Sequence, residues 1–323
     1  MYFNNKNNFF HGIMFHHFHD GKLHRKSQGS ITSDDLYKLI NFIGKKNILD
    51  ANIFFEKFKK KKLKENHVCF TFDDAIKSQI DIALPVLEDF KIKSFFFVYT
   101  SLFEGNPDNL EVYRYFRTNY FENINNFYSE FYKALGKNLD KFFYDNENFI
   151  KNRKKILSYY SIEDIKFRLV RDKLLSKESY EKVMNFMMKE KKFKVREYNQ
   201  RLFFDKKNLI QLNSLGHLIG LHSHTHPTLM ENLSYDQQKF EYKKSISIIS
   251  KILKKSENDI KFMSHPCGSY NKDTLNILKE LGIELGFKQI MEIEPNKEMK
   301  KINNSHLEIA RQDHAEIFMR INK

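Results

Sequence analysis

Two short runs constrain the fold most: "HVCFTF" (67–72) and "SFFFVY" (94–99), in which nearly every residue is apolar. A strand with one wet face alternates apolar and polar residues. A strand apolar throughout has both faces covered, as in parallel sheets flanked by helices. Between the two runs lies "DIALPVLEDF" (81–90), helical in period, with Pro85 in its first turn or at a kink. The same alternation appears elsewhere. "GIMFHHF" (12–18) is predicted as a strand and "SDDLYKLINFIG" (33–44) as a helix with Ser33 as N-cap. After residue 205 come the helix "KNLIQLNSLG", the strand "HLIGLHSH", the long helix "YDQQKFEYKKSISIISKILKK" and the strand and turn "IKFMSHPCG". A helix, "KDTLNILKELG", and two late strands, "ELGFKQ" and "LEIARQD", complete the series. Repeated strand–helix units imply an α/β fold of parallel strands, closed or nearly closed into a barrel.

One stretch breaks the pattern. Residues 103–205 are rich in aromatics, Lys and Asn, and are mostly helical in period, with no recognisable motif. The expected organisation is a first part of the barrel at 1–102, a helical insertion or lid at 103–205, and the rest of the barrel at 206–323. The net charge of +14 invites a nucleic-acid reading, but its densest source, "KFKKKKLK" (57–64), suits a solvated helix end or loop. No zinc-finger, RNA-recognition or helix-turn-helix pattern supports nucleic acid as a partner. Attraction of an anionic, phosphate-linked substrate is a milder use of the charge, and "HRKSQGS" (24–30) suits a loop that hydrogen-bonds a sugar or phosphate. The chain shows no signal-peptide layout, no apolar run of about 18 residues, and only two cysteines, Cys69 and Cys267. A cytoplasmic location without a membrane span is the expectation, and an oligomer is compatible with it.

In such barrels chemistry collects at the C-terminal ends of strands. Four polar groups follow apolar strands here: Asp73-Asp74, His222-x-His224-x-His226, His265–Gly268 and Arg311–His314. Two imidazoles and one carboxylate give three ligands and leave a fourth position open, the arrangement of catalytic zinc. His222 and His226 are neighbours on a strand face or a helix turn, whereas His224 joins them only in an extended segment. Adjacent Asp73 and Asp74 leave a strand in opposite directions, so one can bind metal while the other faces substrate. Singly, a His pair is more often a satisfied core pair, and "TFDD" a helix N-cap. Together at strand ends they point to a metal site.

"FTFDDA" (70–75), "GLHSHTHPTL" (220–229), "SHPCGSYN" (264–271) and "RQDHAEI" (311–317), with "PVLEDFKIKSFFFVYTS" (85–101), resemble the polysaccharide deacetylases, the NodB-homology fold of carbohydrate esterase family four. The likeness covers roughly 65–101 and 205–320 and leaves the insertion unmatched. It implies a distorted or incomplete (β/α) barrel holding a divalent metal, usually Zn2+. It makes Asp73 the catalytic base and Asp74, His222 and His226 the ligands, and it leaves His224 outside the ligand set as a substrate-side candidate. The third motif departs from the family: Ser264, expected on the substrate side, stands in place of an Arg that orients the base, and Cys267 in place of an aromatic residue. Arg311 is the alternative source of that charge, and Cys267 is expected to act through its backbone N–H as an oxyanion donor. His314 is the nearest match to the family's general acid, with His265 as rival. From the residues themselves, His16 and His17 are either ordinary strand histidines or lie on the substrate rim.

The resemblance implies metal-assisted removal of an N-acyl group, acetyl or formyl, from an amino sugar. A soluble, nucleotide-linked or lipid-linked intermediate is the expected substrate. A non-catalytic sugar-binding barrel is the competing reading, motivated by the missing Arg.

Overall fold

The computed structural model describes residues 2–4, 7–156 and 160–321. The chain divides into two compact units, one formed by Met1–His24, Ser30–Asp108 and Gln200–Lys323, the other by Arg25–Gly29 and Asn109–Asn199.

The first unit carries, among the described residues, seven strands: β1 (His11–Phe15), β2 (Val68–Asp73), β3 (Phe95–Val98), β4 (Leu218–Leu221), β5 (Phe262–Ser264), β6 (Leu285–Phe287) and β7 (Arg311–Asp313). Their order is β6-β5-β4-β3-β2-β1-β7, and every pairing is parallel. A parallel bridge from Phe287 to Ile309 returns the last segment to β6, so the barrel is nearly closed. This is the distorted (β/α) barrel expected from the alternating runs.

The apolar runs work as their composition requires. Phe95 and Phe97 pack with Phe262, Leu285 and Phe287, whereas Phe96 and Val98 join the larger cluster with Phe72 and Leu221. Each fully buried Phe contributes about 1.5–3 kcal/mol. Cys69 of β2 faces the Phe95 cluster. By the two-residue period, Thr71 and Asp73 share that face, and Arg311 reaches them from β7. Gly12 makes room for it: a Cβ there would stand 3.0 Å from Arg311 Cγ. At Gly220 a Cβ would meet the Phe262 carbonyl oxygen at 2.6 Å, so only glycine lets β4 approach β5.

Two local expectations shift. Thr32, not Ser33, caps the first helix (Ser33–Ile43): Thr32 is extended, its side chain accepts from Asp35 N–H, and Asp35 answers to the Thr32 N–H. The first strand stops at Phe15 rather than at 18. The Gln79 amide donates to the His16 carbonyl at 2.9 Å, and Phe18 pairs with Ile31 only as an isolated bridge. His16 and His17 therefore lie beyond the strand, outside its alternation. The Lys-rich run ends the helix Ala51–Lys59 and continues as exposed turn.

The second unit is helical. Its helices Asn109–Asn119, Ile124–Leu135, Ile162–Leu169 and Lys177–Glu190 bury Phe116, Phe127, Phe131, Phe167 and Met184. Among the described residues no helix is long and apolar enough to cross a membrane.

Candidate metal centre and active site

Three loops at the C-terminal ends of β2, β4 and β5 meet here, and each bends through non-glycine residues in the left-handed region. These are Asp74 (φ 74°), Ala75 (φ 56°), Ser223 (φ 64°), His226 (φ 57°) and Cys267 (φ 51°). Such residues cost about 1–3 kcal/mol each and persist where the surroundings fix them.

The turn at Ser223 and His226 ends the alternation expected of H-x-H-x-H. His222 and His226 meet across a loop, ring centroids 4.9 Å apart, rather than on one strand face. Their Nε2 atoms lie 3.2 and 3.4 Å from Asp74 Oδ1. One ligand atom from each of Asp74, His222 and His226 falls within 4.8 Å of the others, and all three residues are buried.

The outer nitrogens fix the tautomers. His222 Nδ1 faces the Ser264 carbonyl at 3.0 Å, and His226 Nδ1 faces Asp108 Oδ2 at 2.6 Å. Both partners only accept, so each Nδ1 carries the proton and each Nε2 turns a lone pair inward. Asp74 Oδ1, buried between them, has no hydrogen-bond partner among the described residues. Burial raises the Asp74 carboxyl, but His222, His226 and His16, when their rings are protonated, outweigh it and hold the group well below the usual carboxylate range. A buried anionic oxygen facing two lone pairs is repulsive until a cation joins them. The donor set, one carboxylate oxygen and two imidazole nitrogens, fits a divalent metal with an open coordination position.

Asp73 is 1% exposed and stands beside this cluster. Its Oδ1 accepts from Arg311 Nη1 at 2.8 Å and its Oδ2 lies 2.8 Å from Arg311 Nη2, a two-pronged ion pair. Burial pushes the Asp73 carboxyl up, and Arg311 with His222 more than reverses this, so the group is held below its ordinary value. The Ser264 hydroxyl donates to Asp73 Oδ1 at 3.2 Å and contacts His222 Nδ1 at 2.7 Å. Ser264 is fully buried, which corrects its expected place on the substrate side: it ties Asp73 to His222.

The remaining predicted residues separate. His16 Nε2 comes within 4.0 Å of Asp73 and 3.8 Å of Asp74, with 22% of the side chain exposed. The His17 ring stacks on His16 with centroids 6.1 Å apart. His224 is turned away from the ligands. Its Nδ1 meets Thr100 Oγ1 at 2.9 Å, and its carbonyl accepts from the Thr100 and Ser101 N–H groups. It fastens the loop to the end of β3, which corrects its substrate-side expectation; burial lowers its pKa. His265 donates from Nε2 to the Leu307 carbonyl at 2.9 Å and stacks on Tyr270 at 4.0 Å. Burial takes its pKa down to about 3, so it is a neutral core residue and a poor acid. His314 stacks on Phe15, with Nδ1 toward the Met14 carbonyl at 3.1 Å. Cys267 is exposed on the turn Pro266–Gly268.

Sequence reasoning missed three residues. Asp108 orients His226. Glu241, on the helix Tyr235–Leu253, accepts from the His224 and Thr225 N–H groups at 2.8 and 2.7 Å and from Thr225 Oγ1 at 2.7 Å. Gln79 donates to the Asp73 carbonyl at 2.6 Å as well as to His16. Glu241 did leave a signal: with Gln238 and Ser245 it puts polar residues on the buried face of an amphipathic helix.

The family model for polysaccharide deacetylase matches residues 60–117 and 173–286, just over half of the chain. The protein belongs to the polysaccharide deacetylase family, the NodB-homology group of carbohydrate esterase family four. Among solved structures it is similar to the Streptococcus pyogenes deacetylase PplD in complex with acetate, at 16% identity over 97% of this chain and 98% of that one, with a TM-score of 0.54. It is also similar to a de-N-acetylase from Aggregatibacter actinomycetemcomitans (11% identity, 94% and 95% covered, TM-score 0.52). IcaB from Ammonifex degensii is a third such neighbour (11% identity, 98% of each chain, TM-score 0.52). At these identities the structures speak for the fold. No curated protein matches the sequence. Fold and site together define a polysaccharide-deacetylase-type hydrolase with a buried Asp–His–His metal site.

Proposed function

We propose that this protein is a metal-dependent amide hydrolase that removes an N-acyl group from an amino sugar. The observation that carries the reading is the joint geometry: Asp74, His222 and His226 within 4.8 Å of one another, and the Asp73–Arg311 pair beside them. A divalent cation, Zn2+ by its ligand preference, would be held by those three residues; when bound it supplies Lewis-acid polarisation and acidifies water.

The chain's own groups do the rest. Asp73, ionised and held at both oxygens by Arg311, takes a proton from the attacking water. Arg311 on β7 occupies the role that the third motif leaves vacant at Ser264, which removes the main motive for a non-catalytic barrel. His16 is the proton donor to the leaving amine in this scheme. It is partly exposed, and its Nε2 faces both carboxylates, whereas His265 and His314 pack against Tyr270 and Phe15. The Cys267 backbone N–H, on a turn with left-handed backbone, is the oxyanion donor. Acetyl is the favoured leaving acyl group, since the similar structures are a deacetylase with acetate and a de-N-acetylase; formyl is the alternative. A nucleotide- or lipid-linked amino sugar, handled in the cytoplasm, fits the basic chain.

The test is elemental analysis of the purified protein, followed by amine and acid release from N-acetylated and N-formylated sugar nucleotides. Asp73→Asn is expected to lower release by about 10²–10⁴ with metal content unchanged. An unaltered rate removes Asp73 as base.

A further inference from the structure

Outside the barrel, the helical unit contains an unusual charge arrangement. Arg117, on the helix Asn109–Asn119, is 8% exposed, and its guanidinium lies 5.5 Å from the Phe167 ring centre. Arg168, on the helix Ile162–Leu169, is half-buried, 4.3 Å from the Tyr160 ring, and its Nε is buried without a hydrogen-bond partner. Among the described residues neither side chain makes an ion pair or a hydrogen bond with the protein. A guanidinium has five N–H donors and never loses its charge in a protein, so two of them left on aromatic rings are costly.

The neighbouring acids do not relieve them. Asp164 accepts from neutral groups: the Tyr128 hydroxyl, Gln28 Nε2 at 2.6 Å, and Ser161 Oγ at 3.1 Å and N–H at 3.3 Å. Glu163 pairs with Lys166 at 2.9 Å, and Asp172 takes both prongs of Arg171 at 2.5 and 2.8 Å. A third arginine, Arg114, donates to Ser27 Oγ at 3.0 Å and to the Gln28 carbonyl, and so holds the loop Arg25–Gly29 within this unit. That loop brings the exposed Arg25 and Lys26. Burial, with the charges of Arg114 and Arg168, lowers Arg117 to about 10.

Arg117 and Arg168, which among the described residues make no ion pair, present two positive charges, which a dianion balances and a single carboxylate does not. We infer that this unit binds a phosphoryl group, a phosphate monoester or diphosphate, between the guanidiniums of Arg117 and Arg168 and beside the Arg25–Gly29 loop. Arginine's planar fork suits phosphate oxygens. The phosphate comes either from the carrier of the amino-sugar substrate proposed above or from a separate phosphorylated effector.

Inorganic phosphate titrated calorimetrically into the full-length, metal-containing protein tests the site directly, with acetate at matched ionic strength as the monoanion control. Phosphate is expected to bind at least tenfold more tightly than acetate. Arg117→Met and Arg168→Met should each weaken phosphate by about tenfold or more, the worth of a charge-assisted hydrogen bond. Arg168 is half-buried, so its variant carries the test if Arg117→Met does not fold. Asp74→Asn, which disables the barrel's metal site, should leave phosphate affinity unchanged, so failure of the hydrolase reading and failure of this site are distinguishable. Phosphate no tighter than acetate, affinity that survives both arginine variants, or affinity lost with Asp74→Asn overturns the inference. Displacement of phosphate by a nucleotide-linked N-acetyl amino sugar marks the substrate's own phosphate, and independent binding marks an effector; both support the site.

Discussion

Removing Arg311 should damage the barrel chiefly through the carboxylate it leaves behind. Arg311 and Asp73 are each 1% exposed and meet at two distances of 2.8 Å. Arg311→Met keeps most of the aliphatic stem, so the cavity term is small. Asp73 would keep the Ser264 hydroxyl at 3.2 Å, with the His16 and His222 rings no nearer than 4.0 Å. Breaking a buried pair by deleting one partner costs about 3–5 kcal/mol, because the survivor is uncompensated. At 2–4 °C per kcal/mol for a domain of 150–250 residues, the melting temperature should fall by roughly 6–20 °C.

The double variant separates this account from simple loss of packing. Arg311→Met with Asp73→Asn removes the stranded charge, and neutral replacement of a whole buried pair is often harmless. It should therefore melt well above Arg311→Met alone, with at least half of the loss recovered. All variants are compared by thermal unfolding after chelation, so that differences in metal binding do not enter. A double variant no more stable than the single one would refute the charge argument and leave Arg311 as a space-filling residue.

Other expectations follow from the same contacts. Asp108→Asn should weaken metal affinity by about 10–100-fold in a competitive chelator titration, since it removes the carboxylate that orients His226. His16→Gln should lower amine release by about 10²–10⁴ while bound metal, read by elemental analysis, stays the same; full activity would move the proton donor elsewhere. Burial lowers both His11 and His217 to about 4, against ~6.5 unfolded. Folded pKa values below the unfolded one mean stability that is present above pH ~6.5 and is lost as pH falls toward 4. Each contributes about 3 kcal/mol. Chemical unfolding followed from pH 7 to 4.5 should show proton uptake on unfolding, and His11→Gln should flatten that slope by about one proton.

What the sequence discloses depends on how far apart along the chain the causes lie. β2 and β3 are legible because burial on both faces writes itself into consecutive residues. Asp73 and Asp74 are adjacent, and His222 and His226 lie four residues apart, so the core of the site survives as local spacing. The alternate histidines also mislead. The pattern suits an extended strand, yet Ser223 and His226 adopt left-handed backbone and send His224 to Thr100. Period alone cannot encode that reversal, because neither residue is glycine. Asp108 meets His226 across 118 positions and Glu241 grips the loop from another element, so neither belongs to a local motif. Arg311 is legible only as a substitute for the Arg that the third motif lacks: its charge comes from β7, 238 residues after Asp73, and only closure of the barrel brings it there. A local pattern can therefore name the ligands, while the groups that hold them in register are set by the order of strands around the barrel.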